Sequence, residues 1–133
     1  MKGDIKRLID EWFLQADYDF DTARAMFEAD KLIYSIFMCH LSIEKALKGL
    51  YLKKFNEKPT RTHDLVYLSV ELRLDLKKDQ QEFLDKLHDL SVPTRYPDDL
   101  KSILKHYKKS GVREVLTQTK DLLLWLKEKL KET

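Results

Sequence analysis

The chain has 133 residues, 43% apolar and 36% charged, with three Gly and three Pro, which narrows the choices to a single small, helix-rich, soluble domain spanning residues 1–133. Lys and Arg number 25 against 23 Asp and Glu, a formal charge of +2, so a histone-like or strongly basic nucleic-acid binder is disfavoured. The lone Cys39 has no internal partner and fits a reducing cytoplasm. Met1 to Asp10 mixes charges with isolated apolar residues and is not a signal peptide, and no apolar run reaches membrane-spanning length.

From Asp4 to Ala29, Ile5, Leu8, Ile9, Trp12, Phe13, Ala16, Phe20, Ala23 and Phe27 recur at spacings of mostly three and four, predicting one long amphipathic helix. After a polar break at Asp30-Lys31, a second pattern from Ile33 to Tyr51 runs out near Asn56, and the short break makes the two helices antiparallel. Glu57 to Arg61 is a predicted turn, with Thr62 capping a shorter helix through Leu65, Leu68 and Leu72. A fourth helix is expected from about Asp79 to Leu90. Ser91 to Pro97 is expected to be a loop, because Pro93 and Pro97 restrict themselves and their predecessors. From Gly111 onward, Val112, Val115, Leu116, Thr119, Leu122, Leu123, Leu126 and Leu130 predict a closing helix. The expected fold is all-α, an up-and-down bundle of about five helices.

Charge is unevenly spread. Residues 1–30 carry eight acidic and four basic side chains, whereas Lys101 to Arg113 holds five Lys or Arg, His106 and no acid. Such a run is either a solvated face or a landing strip for phosphate with Tyr107 available to stack on a base. On the second helix Ile36, His40, Glu44 and Lys48 lie four apart, placing a histidine, a carboxylate and an ammonium in one row. That row reads either as a helix-edge ladder, or as a site in which Glu44 orients an arginine from the loop between Ser91 and Pro97, a guanidinium being the natural partner of a buried acid. In that loop Arg95 and Tyr96 stand between two prolines, as a binding surface or as a structural tie. His63-Asp64 opens the third helix, where phosphate binding and ordinary capping are both open. The histidines at 40, 63, 88 and 106 have no metal-ligand spacing, and no Gly-rich phosphate loop or nucleophile elbow occurs.

Four stretches in order, Ala16-x-x-Asp19-Phe20-x-x-Ala23, Ser42-Ile43-Glu44-Lys45-Ala46-Leu47-Lys48, Thr62-His63-Asp64-Leu65 and Thr94-Arg95-Tyr96-Pro97-Asp98, make the chain resemble the HEPN domain, the higher-eukaryote and prokaryote nucleotide-binding family. The resemblance implies a helical bundle that pairs into a homodimer, associates with a minimal nucleotidyltransferase, and serves in a toxin-antitoxin or nucleotide-handling pair. It also implies a nucleotide or RNA phosphate site on Arg95, Tyr96, Glu44, Lys48 and His63, with no cofactor and no metal, in a cytoplasmic protein. The family's ribonucleases share an Arg followed after four to six residues by a His, a spacing this chain lacks, so no residue is assigned a catalytic role. Two alternatives remain: a metal-independent endoribonuclease toxin joining Arg95 to His106 or His63 across a dimer, and a non-catalytic interaction scaffold.

Overall fold

A computed structural model describes residues 2–95 and 100–132. Six α-helices and no strands occur among them: α1 (Lys2–Glu28), α2 (Leu32–Phe55), α3 (Leu65–Glu71), α4 (Lys78–Arg95), α5 (Leu100–His106) and α6 (Lys109–Lys131). None of the helices is long and apolar enough to cross a membrane.

The helix α2 is the axis of the bundle. It packs chiefly on α1 and also meets α6, α4 and α3, so residues 46–52 are buried without interruption. A helix covered on all sides is apolar all round, and this explains why the sequence pattern of α2 is less amphipathic than that of α1. The α1–α2 contact is close because small residues face each other at intervals of seven. Ala16 and Ala23 on α1 are fully buried, and opposite them Ser42 Oγ donates to the Ala16 carbonyl at 2.7 Å and Ser35 Oγ to the Ala23 carbonyl at 2.8 Å. The next position in that series is Gly49, where a Cβ would meet the Phe13 ring at 2.7 Å and Trp12 Cβ at 3.1 Å. An ion pair, Lys45 Nζ to Asp19 Oδ2 at 2.8 Å, locks the same seam. The reversal between the two helices turns on Asp30 at φ 60°, a left-handed conformation that Asp tolerates better than most side chains.

Three local expectations are corrected. The third helix is capped by Asp64, whose Oδ1 accepts from the Tyr67 amide at 3.0 Å, whereas Thr62 Oγ1 accepts from the Asp64 amide and holds the cap in place. His63 therefore lies before the helix, outside its first turn. Ser91 to Arg95 is helical, with Pro93 inside α4. Proline removes a donor from the ladder, but hydroxyls collect on the surrounding carbonyls: Ser91 Oγ donates to His88 O, Thr94 Oγ1 to Ser91 O, and Tyr107 Oη to Leu90 O at 2.7 Å. With Ser91 and Thr94 buried against the bundle, packing overrides the local preference. The last of these bonds also corrects Tyr107, which is 9% exposed and serves α4 instead of standing free to stack on a base. The sixth helix is α5, formed within the basic run and anchored by buried Ile103.

Candidate functional site

Glu44 is the centre of the polar cluster. Its position on the most buried helix leaves it 4% exposed, and a carboxylate so placed must gather partners to offset its lost hydration. Lys48, one turn further along α2, brings Nζ to 3.2 Å from Oε2. His63, from the segment before α3, places Nδ1 3.1 Å from Oε1 and 3.2 Å from Oε2. Arg95, the last residue of α4, reaches to 3.6 Å from Oε1 with Nη2. Its Cζ lies 4.9 Å from the centroid of the Phe37 ring, a cation–π contact that supports the guanidinium from below.

His40 completes the cluster. Arg95 Nη2 lies 3.0 Å from His40 Nδ1, and because a guanidinium has only donors, Nδ1 must accept and the imidazole is neutral there. With Nδ1 accepting, the proton of the neutral ring sits on Nε2. Burial pushes the His40 pKa down to about 3, reinforced by the charges of Arg95, His88 and His63. The 3.6 Å approach of His40 Nδ1 to Glu44 Oε1 is consequently no ion pair, since neither atom carries a proton. His88 lies behind, its ring 6.1 Å from that of His40 and its buried Nδ1 without a hydrogen-bond partner.

Of the residues singled out in the sequence, Glu44, Lys48, His63 and Arg95 thus converge. Tyr96 follows Arg95 but lies outside the described residues. His106 ends α5 exposed to solvent, and none of the contacts just given involves it. His40 and Phe37 carry the site but were absent from the residues proposed for it. His40 had a signal, the i to i+4 row it shares with Glu44 and Lys48, whereas nothing in the sequence distinguishes Phe37 from a core residue. The cluster holds two permanent cations against one carboxylate, an excess that suits an anion. Among the described residues no group of three or more His, Cys, Asp or Glu is arranged for a metal ion.

The bundle, and a buried glutamate that meets cations from two further segments, define a class of small helical domains. The chain matches the HEPN domain model over residues 9–130 and belongs to that family. It is similar to the crystal structure of TT1696 from Thermus thermophilus, at 26% identity over 91% of this chain and 97% of that one, with a TM-score of 0.80. A crystal structure described as an archaeal HEPN homologue shares the fold at 24% identity, covering 91% and 96% of the two chains, with a TM-score of 0.74. No curated protein matches.

Proposed function

We propose that this HEPN protein is a binding module that takes the phosphate of a nucleotide or an RNA on Arg95, His63 and Lys48, with Glu44 orienting all three. It works as a homodimer beside a minimal nucleotidyltransferase subunit, as one half of a toxin-antitoxin pair in the cytoplasm. The observation that carries the reading is the excess of cations on one buried carboxylate, with the His63 side chain 66% and the Arg95 side chain 18% exposed. A guanidinium held by Glu44 and His40 is pre-oriented, so less of the binding free energy is lost in ordering it.

Calorimetric titration with nucleotides and a short RNA at two salt concentrations tests this. Saturable binding that weakens with salt is expected, because phosphate contacts release counterions. Arg95→Ala should weaken binding and, because it takes one of several partners from the buried Glu44, lower the melting temperature moderately. A large loss of stability at unchanged affinity would show that Arg95 serves only as a tie between α4 and α2.

One observation favours a second reading, the endoribonuclease. With Nδ1 engaged by Glu44, His63 has Nε2 left over, and its side chain is exposed. A carboxylate that holds an imidazole in one tautomer is the arrangement of a general acid or base, and Arg95 on the same carboxylate could stabilise charge on a phosphorane. Arg95 and His63 meet within one chain, so this reading no longer needs them to meet across a dimer. Product analysis of the titrated RNA decides: cyclic-phosphate termini lost in His63→Ala would establish cleavage, and intact RNA would dismiss it.

A further inference from the structure

Two apolar depressions flank the bundle's polar residues, and their lysines behave differently. In the groove lined by Leu50, Leu72 and Leu74, Lys53 Nζ donates to the Leu130 carbonyl and Lys54 Nζ to the Leu72 carbonyl, both at 2.6 Å. Those ammonium groups close the ends of neighbouring helices and are not offered to a ligand. The second depression, between α1, α2 and the segment before α3, has a volume of about 360 Å³ and is lined by Leu8, Trp12 and Leu52 together with Lys48, Lys58 and Arg61.

Here two of the three cations are exposed. Lys58 and Arg61 are exposed, while Lys48 forms the inner wall and is the same ammonium that contacts Glu44 Oε2. The depression therefore opens directly beside the phosphate site through one shared residue. Its floor is aliphatic, and Trp12 is its only aromatic lining residue. Gly49 lets the backbone of Trp12 lie close to α2, since a Cβ there would stand 3.1 Å from Trp12 Cβ. An aromatic and aliphatic interior with three cations around it selects a ligand having a flat apolar body and an attached anion. The volume suits one such unit and is too small for a helix or a folded partner.

We infer that the depression formed by Trp12, Leu8, Leu52, Lys48, Lys58 and Arg61 is a nucleoside subsite, in which the base lies against Trp12 and the phosphate is shared between Arg61 and the Glu44 cluster through Lys48. This rests on the phosphate-binding reading above and extends it by naming where the base goes. A free nucleotide and a nucleotide unit within a single strand present the same chemistry, and base-on-indole stacking accepts either.

The test uses the full chain with Trp125→Phe, which leaves Trp12 as the sole tryptophan. Adenosine monophosphate, inorganic phosphate and a short single-stranded RNA are titrated by fluorescence and calorimetry against this protein and against Trp12→Leu, Arg61→Gln and Arg95→Gln. Saturable quenching by the nucleotide or the RNA is expected, with affinity falling about tenfold in Trp12→Leu and also falling in Arg61→Gln, an exposed position that does not endanger folding. Inorganic phosphate should compete without quenching. Quenching by the mononucleotide assigns a free ligand, and quenching by RNA alone assigns a unit of a strand. Binding lost in Arg95→Gln but undiminished in both Trp12→Leu and Arg61→Gln would overturn the subsite and leave the phosphate site standing. Failure of every probe to bind the parent protein would overturn both.

Discussion

His40 couples the cluster to pH in a direction that can be worked out. In the unfolded chain its imidazole takes up a proton near pH 6.5, whereas in the folded protein burial first, and the neighbouring Arg95, His88 and His63 second, hold it neutral down to about 3. Between those values the unfolded state binds the extra proton, so stability is complete above pH 6.5 and declines as the pH falls. Each pH unit in that window removes about 1.4 kcal/mol, which amounts to about 2–3 kcal/mol by pH 4.5. His40→Asn isolates the effect, because an Asn Oδ1 can replace Nδ1 as acceptor for Arg95 without titrating. Urea unfolding of both proteins at pH 7 and pH 4.5 should show the wild type losing about 2–3 kcal/mol more than the variant. Parallel losses, or a His40 ring resonance that titrates above pH 5, would refute the assignment of a neutral acceptor at Nδ1.

Gly49→Ala should destabilise the protein by about 1–3 kcal/mol in urea melts, the usual cost of overpacking, since the new methyl would stand 2.7 Å and 2.9 Å from two carbons of the Phe13 ring; an unchanged midpoint would show that α1 moves aside freely. Cys39 is fully buried, and burial raises its pKa to about 12. Because the thiolate is the reactive form, aromatic disulfide reagents should label Cys39 only as fast as the protein opens, and prompt labelling of the native protein would contradict this.

The four stretches that suggested the family divide into residues that build the fold and residues that build the site. Ala16, Asp19, Ala23, Ser42 and Lys45 are spent on the α1–α2 seam, and their spacing was legible because helical periodicity is a local property. Glu44, Lys48, His63 and Arg95 come from separate segments, and their meeting depends on where α3 and α4 dock on α2. Sequence spacing anticipated the pair on one helix, Glu44 and Lys48, most directly. Three features could not be read locally. The helical course through Pro93 goes with the burial of Ser91 and Thr94 against the bundle and with the bond from distant Tyr107, the separate helix α5 was masked by its charge, and Phe37 became a platform only once Arg95 was delivered over it. In each case a tertiary contact overrode or added to a local preference.

Glu44 carries opposite consequences for stability and for affinity, and that opposition can be exploited. Glu44→Gln leaves Lys48 and Arg95 facing each other without the carboxylate between them. Removing one partner from a buried charge cluster costs about 3–5 kcal/mol, and the polar amide should hold the loss to the lower end by accepting one of the bonds. If the carboxylate mattered to ligands only through its charge, the variant would have a more positive site and bind phosphate more tightly. If its role is to hold Arg95, Lys48 and His63 in one geometry, affinity must fall despite the gain in positive charge, because the cations would separate. The geometry argues for the second outcome: His63 lies within 3.2 Å of both carboxylate oxygens and Arg95 is steadied by His40 and Phe37 as well, contacts that orient more than they neutralise. Calorimetry of Glu44→Gln with adenosine monophosphate at low salt reads the sign directly, and tighter binding would show the cluster to be an electrostatic patch instead of a built site.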